Sequence, residues 1–162
     1  MEDIHGTNRS KAFHKRGDPP VKPKFPVRGV HDNNPTPKTL YHLIIDQLKF
    51  IDVCLDKTKF NAAVKLWPNR AYCNPPFSNK KPFILRAVAS NRISHSEVLL
   101  YLPFDPGTSW FRMLYENNVL VMIFMKRMGH AKFPHALYYL KDYSKPEVVL
   151  LQDEHDLLKF VK

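Results

Sequence analysis

The spacing of apolar residues alternates along this chain between a helical repeat and short continuous runs. The helical repeat is clearest at Leu40, Leu43, Ile44 and Leu48. The Thr36-Pro37 pair before it predicts a helix start, with the hydroxyl as cap and the proline at the first helical position. Further helices are predicted at 81–92, 109–116 and 156–161, and strands at 50–54, 70–73, 97–102, 119–124, 136–140 and 148–151.

Strands that alternate with helices predict an α/β sheet covered by helices, formed as one compact domain over residues 33–162. In such sheets ligands bind beyond the carboxyl ends of the strands, where the strand order reverses. Polar residues follow two of the predicted strands, at 52–56 and at 74–77. We therefore expect these two segments to face each other across one crevice.

Residues 1–32 differ in composition from the rest of the chain. Seven basic residues stand against four acidic ones: Arg9, Lys11, Lys15, Arg16, Lys22, Lys24 and Arg28 against Glu2, Asp3, Asp18 and Asp32. Four prolines interrupt the same stretch, at Pro19, Pro20, Pro23 and Pro26. This composition predicts a flexible basic arm that follows a phosphate backbone. An ordinary disordered leader and a segment that binds a partner protein are the alternatives.

The whole chain of 162 residues has a net charge of +10, which favours polyanions and above all nucleic acid as partners. A basic subunit of a ribonucleoprotein is the alternative. No apolar run approaches the roughly 20 residues that a membrane-spanning helix needs, so no membrane association is expected. Cys54 and Cys73 have no metal-ligand spacing, and we predict no metal site. We expect both cysteines to be reduced, which favours an intracellular setting.

The most specific motif is Asn74-Pro75-Pro76-Phe77, at the end of the strand predicted at 70–73. A conjugated amine such as that of adenine is a poor nucleophile. Two acceptors that bind its hydrogens can hold it in line with a methyl donor, and the Asn74 amide and the Pro75 carbonyl can supply them. Phe77 would stack on the base. The alternative is that Asn-Pro-Pro only ends a strand.

Asp52 and Asp56 precede this motif by about twenty residues. A carboxylate at a strand end can accept hydrogen bonds from ribose hydroxyls or from an amino-acid ammonium group, and S-adenosylmethionine carries both. The alternative is that either acid only caps a turn.

The stretch from Thr36 to Leu140, about two thirds of the chain, resembles the phage-type DNA N-6-adenine methyltransferases, which are the Dam-like enzymes of bacteriophages. The block from Tyr72 to Asn79 carries the most specific part of this resemblance. Weaker matches occur in the family's order at Thr36-Pro37, Asp52-Val53-Cys54, Asp56, Asn61, Leu102-Pro103, Trp110-Phe111, the basic-Gly turn ending at Gly129, and Phe133-Pro134.

The resemblance implies a Rossmann-like methyltransferase sheet with helices on both faces. It also implies methyl transfer from S-adenosylmethionine to the exocyclic amine of adenine, with DNA favoured as the substrate. The catalytic residues would be Asn74, Pro75, Pro76 and Phe77. The cofactor would contact Thr36, Pro37, Asp52, Cys54, Asp56 and Asn74, and the substrate would contact Phe77, Ser78, Asn79, Trp110, Lys126, Arg127 and Phe133. A phage origin would place the reaction in the cytoplasm of a bacterial host.

Some features depart from the family pattern. No glycine lies between Gly29 and Gly107, Leu55 stands where a smaller residue is usual, and the segment between Gly129 and Phe133 is short. An inactive relative that serves as a nucleic-acid-binding or structural subunit is therefore the alternative function. Adenine in RNA and glutamine amides in proteins are alternative substrates, although the positive charge argues against a protein.

Individual residues have simpler alternatives as well. Trp110 also suits a hydrophobic core, and Lys126 and Arg127 also suit a solvated strand end. A histidine in a loop, such as His135, is more often structural than catalytic. The last apolar segment, near 157–160, either packs on the sheet or binds another subunit.

Overall fold

A computed structural model describes residues 34–54, 61–128 and 133–162. The six strands in these ranges are β1 (Ile51–Asp52), β2 (Arg70–Cys73), β3 (Glu97–Pro103), β4 (Leu120–Phe124), β5 (His135–Leu140) and β6 (Glu147–Leu151). The α-helices are α1 (Lys38–His42), α2 (Lys81–Ser94) and α3 (Ser109–Glu116). A π-helical turn, Leu43–Gln47, extends α1, and 3-10 turns occupy Phe77–Asn79 and Glu154–Lys159. None of the helices in these ranges combines the length and the apolar character needed to cross a membrane.

The strands form one sheet in the order β1-β2-β3-β5-β4-β6. β5 is antiparallel to both of its neighbours, whereas every other pairing is parallel. β1, β2, β3, β4 and β6 therefore all end at one edge of the sheet, which we call the carboxyl edge. The opposite edge, where these strands begin and β5 ends, is the amino edge. The α/β fold class expected from the sequence is confirmed.

Helices pack on both faces of the sheet, which explains why the central strands β2, β3, β4 and β5 are apolar on both sides. On one face α2 and α3 contribute Ala87 and Leu114 to a core that includes Cys73. On the other face α1 and the last 3-10 turn contribute Leu40 and Leu157 to a second core, which includes Tyr72. Successive residues of β2 therefore point into different cores, as the two-residue period of a strand requires.

Several predicted elements agree with the structure and others differ at their ends. β2 and α3 have the predicted bounds. The strand predicted at 50–54 pairs only over Ile51–Asp52. The predicted terminal helix is instead the 3-10 turn Glu154–Lys159, which the Asp153 side chain caps through hydrogen bonds from the main-chain N–H groups of His155 and Asp156.

The start of α1 also differs from the prediction. Pro37 is the N-cap, and no side chain caps this helix. The Thr36 hydroxyl, expected to be the cap, bonds instead to side chains of β2 and of the residue after it. The polar partners on β2 therefore replace the local cap.

The expectation that the cysteines are reduced was wrong. Cys54 and Cys73 form a disulfide, with their Cα atoms 5.4 Å apart. The reason lies in the topology, because β1 and β2 are parallel neighbours and the two cysteines occupy neighbouring strand ends. The bond joins the two segments expected to form the crevice, and it removes the argument for an intracellular setting that rested on free thiols.

Candidate active site

The Asn74-Pro75-Pro76-Phe77 motif leaves the sheet at the carboxyl edge, directly after β2. A proline has no N–H to donate to a neighbouring strand, so the pair ends the β2 ladder at this point. Pro75 is buried, and Pro76 is the N-cap of the 3-10 turn that starts at Phe77. Asn74 itself is half-buried. The motif thus holds a polar side chain at the carboxyl end of a strand, which is the edge at which ligands bind in open α/β sheets.

The orientation of the Asn74 amide is defined by two hydrogen bonds. Its Nδ2 donates to the main-chain carbonyl of Asn34 at 2.9 Å and to the Thr36 Oγ1 at 3.2 Å. A main-chain carbonyl can only accept, so the NH₂ end of the amide must point at Asn34. The Oδ1 accepts no hydrogen bond from any residue in the described ranges. The amide therefore keeps an acceptor for a ligand.

Tyr72 supports this arrangement from inside the core. Its side chain is fully buried, and its hydroxyl is hydrogen-bonded to the Thr36 hydroxyl. Burial raises the pKa of the Tyr72 phenol well above its ordinary value, so the phenol is neutral at physiological pH. Tyr72, Thr36 and Asn74 form a continuous chain of side-chain hydrogen bonds, which we call the carboxyl-edge cluster.

Asp52 ends β1 and is paired in register with Tyr72. One carboxylate oxygen accepts from the main-chain N–H of Cys54 at 2.9 Å, and the other accepts from the Tyr41 hydroxyl at 3.1 Å. Because β1 and β2 are paired neighbours, Asp52 lies one strand away from the strand that precedes Asn74, at a strand spacing of about 4.8 Å. The structure thus brings the two predicted segments together at one edge of the sheet.

Phe77 belongs to an aromatic wall at the same edge. Its ring centroid lies 5.4 Å from that of His135, which in turn stacks on Tyr101 at 4.9 Å. The His135 Nδ1 donates to the Phe133 carbonyl at 2.8 Å. Burial lowers the pKa of His135, so its imidazole is neutral and Nε2 is an acceptor. Within the described ranges this Nε2 has no hydrogen-bond partner.

His135 and Lys80 were not predicted as part of this site. The Lys80 Nζ donates to the Phe77 carbonyl at 2.8 Å and lies 5.5 Å from the centre of the Trp110 ring. The sequence analysis assigned no role to Lys80, and it gave His135 no role beyond a structural one. Their contacts with Phe77 come from the turn and from the start of β5, and neither has a local sequence signal.

Apart from Phe77, the residues predicted to contact the substrate fall into two groups. Trp110 packs in the core, with 8% of its surface exposed, so its ring meets other side chains more than solvent. The second group is exposed and lies at the carboxyl edge, because it follows β2, follows β4 or precedes β5. Its members are Ser78, Asn79, Lys126, Arg127 and Phe133.

The remaining predicted contacts concern the cofactor. Pro37 lies beside Thr36 at the start of α1, and Cys54 is in the disulfide. Asp56 lies outside the described residues. In the described ranges no group of three or more His, Cys, Asp and Glu side chains could hold a metal ion.

The profile of the family described as DNA N-6-adenine-methyltransferase (Dam) matches residues 27–133, which is more than half of the chain. The chain belongs to the DNA N-6-adenine-methyltransferase (Dam) family. This result confirms the resemblance drawn from the motifs. The Dam-family match contains β1 to β4 and the Asn-Pro-Pro-Phe motif, whereas β5 and β6 follow it.

A Dam-family relative has also been named in a phage. The DNA N-6-adenine-methyltransferase of Haemophilus phage HP1 (strain HP1c1) is 42% identical over 53 residues. These residues are 32% of this chain and 30% of the relative, so the chain spans about a third of the length of the curated relative it matches. No solved structure matches this chain.

Proposed function

We propose that this protein transfers a methyl group from S-adenosylmethionine to the exocyclic amine of adenine in DNA. The observation that carries the proposal is the fixed amide of Asn74, whose nitrogen is held by Asn34 and Thr36 while Oδ1 stays available. Membership of the Dam family and the name of the HP1 relative support the same reaction.

The chemistry follows from the acceptors at the end of β2. The lone pair of the adenine amine is delocalised into the ring, so the nitrogen attacks an electrophile poorly. The Asn74 Oδ1 and the Pro75 carbonyl would accept hydrogen bonds from its two N–H groups, favour a tetrahedral nitrogen and aim its lone pair. The proton can leave after the nitrogen has been alkylated, so the site needs no strong base.

Phe77 would bind the base by stacking. A face-to-face contact of this kind contributes about 1–3 kcal/mol per base. His135 and Tyr101 continue the aromatic wall behind Phe77 and keep its ring in place. The target adenine would enter from single-stranded DNA or would flip out of the duplex, because its amine is otherwise paired.

The acceptors at the carboxyl edge support S-adenosylmethionine as the cofactor. The cofactor supplies an electrophilic methyl group on a positively charged sulfur. Asp52 is half-buried at the end of β1, and a carboxylate at this position is the kind of acceptor that a ribose hydroxyl or an ammonium group binds. Pro37, Cys54 and Asp56 stay predicted neighbours of the cofactor. The parallel sheet with one reversed strand also supports a Rossmann-like methyltransferase fold.

The net charge of +10 supports a nucleic-acid substrate. Lys126 and Arg127 would contact phosphates, while Ser78, Asn79 and Phe133 would contact bases or sugars near the target. Residues 1–32 would add a basic arm that binds DNA or a partner protein. We expect relaxed sequence preference, and we place the reaction in the cytoplasm of a bacterial host if the chain derives from a phage.

The test is a transfer assay with S-adenosylmethionine labelled in the methyl group. The protein is incubated separately with single-stranded DNA, duplex DNA, RNA and a protein acceptor, and the labelled polymer is digested to identify the modified atom. We expect N6-methyladenine from DNA. Label confined to RNA would change the substrate. If no acceptor is labelled and titration with S-adenosylmethionine produces no heat, the protein is instead an inactive binding subunit.

A further inference from the structure

We infer that Thr36 and Tyr72 are positioning residues that lock the Asn74 amide in its catalytic orientation. The inference rests on the proposed function and deepens it. Thr36 was expected to contact the cofactor, whereas its Oγ1 accepts a hydrogen bond from the Asn74 Nδ2 at 3.2 Å. The inference therefore gives Thr36 a role that acts through another residue.

The need for a lock comes from the shape of the amide group. The oxygen and nitrogen ends of an Asn side chain have nearly the same size, and rotation by about 180° exchanges them. In the wrong orientation the Asn74 NH₂ would face the NH₂ of adenine, donor against donor. The Asn34 carbonyl and the Thr36 hydroxyl, which both accept from Nδ2, oppose that orientation.

Thr36 needs its own support because it lies in the segment before α1, 38 residues away from Asn74 in the chain. Its hydroxyl can rotate, and it can serve as donor or acceptor. The hydrogen bond to Tyr72 fixes it, and Tyr72 is itself fixed by a core in which it is 0% exposed. The orientation of Asn74 is thus transmitted from the rigid sheet, as a precise functional site requires.

The first test compares single and double variants by steady-state kinetics. One hydrogen bond contributes about 0.5–1.5 kcal/mol, so we expect Thr36→Val to lower kcat about 10-fold and Tyr72→Phe about 3-fold. Thr36→Ser keeps the hydroxyl and restores nearly all of kcat. The double variant Thr36→Val/Tyr72→Phe loses no more than Thr36→Val alone, because the two residues act in series. Thr39→Val, on the exposed side of α1, is the matched control with unchanged kcat.

Binding separates positioning from contact with the cofactor. We expect Thr36→Val to leave the Kd for S-adenosylmethionine and the KM for DNA within about 2-fold of wild type. A Kd that rises about 10-fold with kcat unchanged would assign Thr36 to the cofactor and overturn the inference. The inference would also be overturned if the fold-decrease in kcat of the double variant equalled the product of the decreases in the two single variants.

A readout without turnover keeps the inference separate from the proposed function. In ¹⁵N-labelled protein, the Asn74 side-chain NH₂ resonances are identified by their loss in Asn74→Ala. We expect slow hydrogen exchange for this NH₂ in wild type and faster exchange in Thr36→Val. If wild type transfers no methyl group, the proposed function fails while the exchange data still judge the orientation. Equal exchange rates in both proteins would overturn the inference.

Discussion

Two polar clusters lie at opposite edges of the same sheet, and they are built in different ways. The carboxyl-edge cluster of Tyr72, Thr36 and Asn74 is uncharged and holds the amide by its nitrogen. The cluster at the amino edge is centred on Glu97, which meets Arg70 at 3.4 Å and Lys141 at 3.2 Å.

The two clusters differ in whether an acceptor is left over. Both Glu97 carboxylate oxygens have partners, since the Tyr139 hydroxyl adds a 2.8 Å hydrogen bond to the ion pairs. The Asn74 Oδ1 has no partner in the described ranges. We therefore assign the Glu97 cluster to the stability of the fold, and the proposed function assigns the carboxyl-edge cluster to ligand binding. The location at the carboxyl edge agrees with this distinction.

The largest expected effect tests the carboxyl-edge cluster. Asn74→Ala removes the acceptor that the proposed mechanism places on the reacting amine, so we expect kcat to fall about 100- to 1000-fold. The melting temperature and the heat of cofactor binding should stay close to wild type. Asn69 is exposed and directly precedes β2 at the amino edge. Asn69→Ala is therefore the matched control and should retain full turnover. An Asn74→Ala protein with more than half of the wild-type kcat would remove Asn74 from the chemistry.

The disulfide between Cys54 and Cys73 joins the strand ends at the carboxyl edge. The cross-link closes a loop between residues 19 positions apart and so reduces the entropy of the unfolded chain. Its loss should lower the free energy of unfolding by about 3 kcal/mol. Urea unfolding of the Cys54→Ser/Cys73→Ser variant measures the change. Reductant should lower the stability of wild type and have no effect on the double variant. Equal wild-type curves with and without reductant would contradict the expectation.

The cluster centred on Glu97 predicts that the stability of the fold depends on pH. Burial by itself would raise the pKa of Glu97, but the hydrogen bonds from Tyr139 and Lys141 outweigh it, and the pKa lies below its ordinary value. Its contribution is full above the unfolded-state pKa of about 4.3, and it is lost as pH falls through the lower folded-state pKa. Hydrogen bonds to a charged group suggest that Glu97→Gln costs about 1.5 kcal/mol at pH 7.

Unfolding curves recorded between neutral and acidic pH measure how the contribution of Glu97 to stability depends on pH. The difference in stability between wild type and Glu97→Gln should shrink as the pH falls below about 4. Transfer activity should be unchanged by the substitution, since Glu97 lies at the edge away from Asn74. A Glu97→Gln variant with normal stability and impaired transfer would reverse the roles of the two clusters.

The smallest effect concerns the exposed charges beyond β4. If Lys126 and Arg127 each neutralise one phosphate, Lys126→Ala/Arg127→Ala should reduce the slope of log K against log salt by about 1.8 for duplex DNA. Arg92→Ala/Lys145→Ala removes the same charge from exposed positions near the amino edge and should leave the slope nearly unchanged. Fluorescence anisotropy with a labelled duplex over several salt concentrations measures both. Equal slopes for the two double variants would indicate a general effect of charge.

The sequence predicted the elements better than their arrangement. β2 and α3 were predicted with their bounds because apolar periodicity and turn residues are local signals. β1 was predicted too long, because only Ile51–Asp52 pairs with β2. The strand order and the reversed direction of β5 have no local signal. The pairing of β1 with β2 has none either, and so the disulfide was missed.

The same division holds for the site. The Asn-Pro-Pro-Phe motif is contiguous and could be recognised from its chemistry. The hydrogen bonds of Thr36 join residues far apart in the chain, and local reasoning assigned its hydroxyl to a helix cap. Lys80 and His135 became visible only through their contacts with Phe77.

The reversed direction of β5 has a consequence for how this architecture can diversify. β4 ends at the carboxyl edge and β5 begins there, with Ile123 paired to Ala136, so the connection between them leaves and re-enters the sheet beside Phe77. Substitutions at its described ends, residues 125–128 and 133–134, would change the surface beside Phe77 while the paired strands keep their register. If the protein methylates DNA as proposed, these positions are the first to vary in a search for an altered target preference.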